Sequence, residues 1–207
     1  ITGPRRVGKT TVLRQLISHL IEEKEVEPRR ILYLEIDDPY LIASTDEPLK
    51  DVLDTFFKKI VSESPNQLSK RVYVLVDEIQ ALEKWDLKLK AWFDYGFNIK
   101  FIVTGSSSLL LQQGASSLVG RAREVVMLPW KFANMLEYKT SKDDFLWTYD
   151  LRNALNESIH SRNIDFFWNE LEKHKVQLVK HSFLIEQQSQ NLLLKGGYPE
   201  LIENNDL

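Results

Sequence analysis

The 207-residue sequence contains no cysteine. That excludes disulfides, thiolate metal sites and a cysteine nucleophile, and it is compatible with a reducing cytosol. Histidine spacings that hold metals are also lacking. His19, His160, His174 and His181 form no H-E-x-x-H or related grouping and read as surface or packing residues. No apolar run approaches the roughly 20 residues that a bilayer-spanning helix needs, so no membrane partner is expected. Nor is there an excess of positive charge. The formal charge is -3, so any nucleic-acid contact must be local rather than driven by a global field. There is no internal repeat and no low-complexity tract. The chain opens at Ile1, inside a motif, and is expected to be an excised piece of a longer protein.

What is present alternates. Short apolar runs and helix-period segments follow one another to about residue 140, the pattern of βαβ units with a parallel sheet. Ile1-Thr2 reads as the tail of a first strand. Residues 10–24 read as a helix with Val12, Leu13, Leu16, Ile17 and Leu20 on one stripe. A strand is predicted over 31–36, closed by a turn at Asp37-Asp38-Pro39, and a helix over 47–62. Val72 to Val76 is apolar and β-branched, as a central strand is. A helix near 84–95, a strand at 101–103 and a last strand at 124–128, ended by Pro129, complete five candidate strands. From about 140 to 195 the pattern turns polar and helical, with Phe166, Phe167, Trp168, Leu171, Leu178 and Val179 as expected buried positions. The expected division is therefore a core over 1–139 and, over 140–207, a helical insertion with the start of a lid.

Gly3-Pro4-Arg5-Arg6-Val7-Gly8-Lys9-Thr10 fits G-x-x-x-x-G-K-[ST] without a mismatch, between a strand remnant and an amphipathic helix. Glycines let the backbone wrap a polyphosphate with its N–H groups pointing inward, at a helix start whose dipole favours anions. Lys9 is expected to reach the β- and γ-phosphates of ATP, and the Thr10 hydroxyl to hold Mg2+. Thr11 completes the expected nucleotide-contacting segment. Arg5 and Arg6 read most simply as solvated.

Asp77-Glu78 ends the central strand. Asp77 is expected to position magnesium, a hard cation that prefers oxygen, and Glu78 to act as the general base for water. At the end of the next strand stands Thr104-Gly105-Ser106-Ser107-Ser108. Thr104, with Ser106 as second choice, is expected to help orient that water, while a serine capping a helix is the structural alternative. Arg121, and less so Arg123, follow a Gly/Ser-rich loop. Arg121 is expected to reach a phosphate across a subunit boundary, as against forming a weak surface ion pair. Arg29-Arg30 and Lys58-Lys59 read as helix or loop surface.

Taken together, ITGPRRVGKTT, LEIDDP, VLVDEIQ followed by Trp85, FIVTGSSSLLL, VGR and GGYPE resemble the AAA-type P-loop ATPases of bacteria and archaea of the AAA_14 kind, usually followed by a DUF4143 C-terminal domain. The resemblance covers the chain to about Tyr138 and resumes over 195–201. It implies an α/β fold, the P-loop NTPase three-layer sandwich with a parallel sheet in the order 5-1-4-3-2, plus the helical segment. It also implies that Lys9, Thr10, Asp77, Glu78, Thr104 and Arg121 take the roles above, with ATP and Mg2+ as cofactors, in the cytoplasm. A homo-oligomer, and a DNA or protein partner acting through domains absent from this chain, are left open. The expected activity is Mg-dependent ATP hydrolysis coupled to movement of an attached domain. The alternative is a nucleotide-gated switch or DNA-binding regulator with little turnover. A small-molecule kinase has less use for the water-activating Glu78.

Overall fold

The apolar runs pair in parallel. In the computed structural model, which describes residues 1–106, 118, 120–140 and 142–203, the strands are β1 (Thr2–Gly3), β2 (Ile31–Glu35), β3 (Val72–Asp77), β4 (Ile99–Val103) and β5 (Gly105–Ser106). They form two parallel sheets, β2-β3-β4 and β1-β5. Leu34 lies opposite Val76 and Glu35 opposite Asp77, Val76 lies opposite Val103, and Gly3 lies opposite Ser106. The fold is mixed α/β, as expected.

The expected last strand over 124–128 is reduced to one parallel bridge between Thr2 and Val126. Its hydrogen bonds run from the Thr2 N–H to the Val125 carbonyl (2.9 Å) and from the Met127 N–H to the Thr2 carbonyl (2.7 Å). The pairing stops there because β1 is only two residues long and the chain leaves it at Gly3. The strand predicted at 101–103 starts two residues earlier, at Ile99.

Contacts divide the chain into two compact units, Ile1–Leu128 and Pro129–Leu207. In the first, helix α1 (Lys9–Glu22) follows β1, and the chain from β2 into the next crossover forms α2 (Pro39–Ser44) and α3 (Pro48–Phe56). The predicted turn at 37–39 is a helix start: Asp38 Oδ1 accepts from the Tyr40 and Leu41 N–H groups at 2.8 and 3.2 Å, a capping arrangement. Leu49, Leu53, Phe56 and Phe57 recur at helical spacing and are all buried. A π-helical turn over Phe57–Val61 then keeps Val61 in the same core before Ser62, at φ 59°, ends the segment. Helix α4 (Trp85–Asp94) covers the sheet between β3 and β4. Val72, Val74, Leu75 and Val76 are fully buried, as a strand covered on both faces must be. Each such side chain contributes about 1.5–3 kcal/mol.

Arg30, read from sequence as surface, is buried. Its guanidinium donates to Glu63, to Ser69 Oγ at 2.9 Å and to the Lys70 carbonyl at 3.1 Å, so the residue ties β2 to the segment before β3. A lone basic pair in sequence carries no sign of such a distant partner.

The second unit is helical: α5 (Phe132–Lys139), α6 (Trp147–Ser161), α7 (Asp165–Lys173), α8 (Lys175–Lys195) and α9 (Pro199–Glu203). Helix α5, expected within the residue 1–139 portion, packs with α8 here. The core is small, with Leu136, Phe145 and Trp147 buried against Leu151, Leu178 and Ile185. Of the expected buried positions, Leu178, Phe167 and Leu171 are half-buried, whereas Phe166, Trp168 and Val179 are exposed. Helical spacing alone does not tell which stripe of a polar helix faces inward. His174 packs between helices, its Nε2 3.1 Å from Glu170 Oε1 and 3.6 Å from Asp150 Oδ2.

Within this unit Gly197 lets two backbones touch. The Trp130 N–H donates to its carbonyl at 2.6 Å, and a Cβ on Gly197 would lie 2.0 Å from the Trp130 carbonyl oxygen. Gly197→Ala is therefore expected to destabilise the helical unit by at least ~1–3 kcal/mol, the ordinary cost of overpacking. Thermal unfolding followed by circular dichroism, showing a lowered midpoint against wild type, checks this; an unchanged midpoint would refute it.

Candidate functional site

The loop from β1 to α1 is shaped by its glycines. A Cβ on Gly3 would sit 2.4 Å from the Met127 carbonyl oxygen, so only glycine allows the chain to leave the sheet there. Arg6 and Gly8 adopt left-handed backbone conformations (φ 64° and 98°), which turn the loop back onto the helix. Helix α1 then starts without a side-chain cap and without an acidic residue in its first turn. Its first N–H groups therefore lack a cap from the helix's own N-terminal residues, and the acid beside this end of the helix comes from β3: Asp77 accepts from Thr10 Oγ1.

Lys9 stands at the head of that helix and is 4% exposed. Its ammonium donates to the Gly3 and Pro4 carbonyls at 3.1 and 2.9 Å, both within the loop. Val7 is buried beneath the loop, while Arg5, Arg6 and Thr11 are exposed and Pro4 and Thr10 half-buried.

Asp77 is the centre of the cluster and is 1% exposed. Thr10 Oγ1 donates to its Oδ2 at 2.6 Å and the Tyr33 hydroxyl to the same oxygen at 3.2 Å. The Thr104 hydroxyl donates to Oδ1, and the Glu78 N–H reaches that oxygen at 3.2 Å. Thr104, fully buried, also accepts from the Glu78 N–H at 3.2 Å. Main-chain bonds fix it between the strands: its N–H donates to the Val76 carbonyl (2.9 Å) and its carbonyl accepts from the Ile79 N–H (3.0 Å).

Glu78 holds a left-handed conformation, φ 52° and ψ 45°, which a non-glycine residue adopts at a cost of about 1–2 kcal/mol. The two bonds from its N–H offset that cost and swing its side chain out of the strand direction. Gln80 Nε2 then donates to Glu78 Oε2. Tyr33 has its hydroxyl pushed up to about 12, first by burial and then by the negative charge of Asp77 and Glu35. It therefore stays a protonated donor to Asp77 throughout the physiological range.

The structure thus brings Lys9, Thr10, Asp77, Glu78 and Thr104 into one connected set of loop and strand ends. Ser106 pairs with Gly3 at the start of the loop; Ser107 and Ser108 lie outside the described residues. Arg121 is placed elsewhere in the unit. Its Nε lies 3.1 Å from Asp94 Oδ1, and its guanidinium 5.9 Å from the Phe93 ring centre, both on α4. Arg123 is exposed. Sequence reasoning missed Tyr33 and Gln80. Register places Tyr33: it stands two residues before Glu35, which lies opposite Asp77, so period-two alternation puts it on the face of the carboxylate, and the sequence alone does not give that register.

Thr10 Oγ1 and the Asp77 carboxylate, with the Tyr33 hydroxyl beside them, are hard oxygen groups of the kind magnesium prefers. No other motif of the chain assembles a comparable arrangement with a phosphate-type loop among the described residues.

Comparison with known proteins agrees with this geometry. The AAA_14 model, described as an AAA domain, matches residues 1–136. An uncharacterized protein of Methanocaldococcus jannaschii is 30% identical over 205 residues, 99% of this chain and 38% of that protein. An uncharacterized protein of Haemophilus influenzae is 29% identical over 175 residues, 84% of this chain and 38% of its own length. A second M. jannaschii protein, also uncharacterized, is 34% identical over 139 residues, 67% of this chain and 28% of its own. The chain therefore spans between 28% and 38% of the length of these relatives. With its phosphate-type loop, its buried strand-end carboxylate and a family match over most of its length, the chain belongs to the AAA_14 family of AAA-type ATPase domains.

Proposed function

We propose that this chain binds ATP with Mg2+ and hydrolyses its terminal phosphate, coupling turnover to movement of an attached domain or partner. The observation that carries this is the Thr10–Asp77 hydrogen bond, which joins the loop that would hold the phosphates to the strand end that carries Glu78.

In this reading the loop from Gly3 to Thr11 would cradle the phosphates with the N–H groups it has, Pro4 having none. Lys9 would exchange its two loop carbonyls for β- and γ-phosphate oxygens. Thr10 and Asp77 would hold a magnesium ion, which would neutralise developing charge on the phosphates. Glu78 accepts a proton from the water that attacks the γ-phosphorus, and the bond to the β-phosphate oxygen breaks to release ADP and phosphate. Thr104 holds the Glu78 backbone and Asp77 together, which keeps base and metal ligand in register. The proposed sheet order is 5-1-4-3-2, counting 124–128 as the fifth strand and Gly105–Ser106 as a continuation of the fourth. The Thr2–Val126 bridge and the β1-β5 pairing support it.

Arg121 is proposed to act on ATP bound to a neighbouring subunit of a homo-oligomer. Its pairing with the half-exposed Asp94 is a surface pair of small energy, so the arginine can be redeployed cheaply.

Lys9→Ala is expected to abolish or greatly weaken Mg-ATP binding by calorimetry; equal affinity in wild type and variant would sink the assignment. Glu78→Gln keeps the shape but cannot take the proton, so binding should persist while hydrolysis falls by roughly 10² to 10⁴. Phosphate release near the wild-type rate would place the base elsewhere. For Arg121, mixing Arg121→Ala with Lys9→Ala subunits of the complete protein should restore part of the activity each lacks, since a finger in trans is worth roughly 10³ to 10⁵. Mixed oligomers without recovery would leave Arg121 a surface residue.

A further inference from the structure

Glu78 is followed by a single 3-10 turn, Ile79–Ala81, and the side chain of Gln80 on that turn folds back onto it. The left-handed backbone at Glu78 ends the strand direction and leads into this turn, on which Gln80 comes within hydrogen-bond reach of the Glu78 carboxylate. Gln80 Nε2 donates to Glu78 Oε2, and the orientation of the amide follows from chemistry, since an ionised carboxylate only accepts. The other end of the same amide is unusual. Gln80 Oε1 is buried and finds no hydrogen-bond partner among the described residues. Buried amide oxygens are nearly always paired. Here the side chain keeps its bond to Glu78 at the expense of its own acceptor, so the Glu78 contact is the one that orients it.

We infer that Gln80 is a positioning residue for Glu78: its amide fixes one carboxylate oxygen and thereby aims the carboxylate for water activation. The inference rests on the proposed role of Glu78 as base. Backbone bonds from the Glu78 N–H fix only the start of this residue. Three rotatable side-chain bonds separate that fixed point from the reacting oxygens, and the Gln80 bond is what restricts them. A neutral amide suits the task because it holds the carboxylate without placing a full positive charge beside it. Lys or Arg in its place would form an ion pair competing with the proton that the base has to take.

The test uses Gln80→Met in the complete protein, which keeps length and flexibility but removes the donor, with Gln80→Leu as a second, uncharged variant that also lacks a donor. Both should bind Mg-ATP with calorimetric affinity within about twofold of wild type while kcat falls roughly 10- to 100-fold, the range that misplacing a reacting group costs. In a Glu78→Gln background, Gln80→Met should cost no further factor, because the group it aims is gone. A kcat for Gln80→Met within twofold of wild type, or higher, overturns the inference. So does a loss of affinity in step with kcat, or an equal loss in the Glu78→Gln background. Those outcomes leave the reading of Glu78 intact if Glu78→Gln alone is inactive. If Glu78→Gln alone turns over normally, the reading of the base fails first and Gln80 loses its role with it.

Discussion

One buried carboxylate holds the site together. Asp77 lies at the end of a strand that is apolar and covered on both faces, so its charge is far from water and stable only if its lone pairs are satisfied. They are satisfied from three directions: Thr10 at the head of α1, Tyr33 on β2, and Thr104 together with the Glu78 N–H at the strand ends. Each donor belongs to a different segment. The carboxylate thus sets the spacing between the β1–α1 loop and the residues that follow β3. Loss of any one donor would leave a lone pair of a buried anion short of a partner, which is costlier than loss of an exposed hydrogen bond.

Two features of the backbone make that convergence geometrically possible. Parallel register places Glu35 opposite Asp77 and Val76 opposite Val103, so the three strands end at one level. β4 then breaks at Thr104, and the chain resumes as β5 against β1. The break turns Thr104 inward at the place where the loop and the acidic pair meet. A continuous strand would alternate its side chains on either side of the sheet and hand the position to a neighbour.

The local parts of this arrangement were legible in the sequence. Gly3 to Thr10 carries its meaning in fixed spacing, and Val72 to Val76 followed by Asp77-Glu78 could only be a buried strand with a polar end. The register-dependent parts were not. Tyr33 sits in a mostly apolar run, and its place beside Asp77 depends on the register of β2 against β3. Gln80 lies on a turn that follows a left-handed Glu78, which no residue preference there announces. Arg30 finds Glu63, Ser69 and Lys70 only after a strand and two helices have intervened in the chain. In the helical unit Phe166, Phe167 and Trp168 are consecutive on α7 and cannot share one face, and Phe166 and Trp168 turn out. The strand expected over 124–128 was legible as an apolar run, but its pairing is limited by how short β1 is, a property of the partner rather than of the run itself.

The resting contacts of Lys9 have a kinetic consequence. Its ammonium is held by two carbonyls of its own loop, not by an acid, so an arriving anion breaks no ion pair to recruit it. Two neutral acceptors are exchanged for charged ones, and the reverse exchange is available when the anion departs. The barrier to loading would then lie in the motion of a few loop residues, whereas departure has to part the Lys9 ammonium from the anion itself. Entry and exit at such a loop would therefore not be symmetric: the empty loop is ready to receive, and the filled one is held by charge.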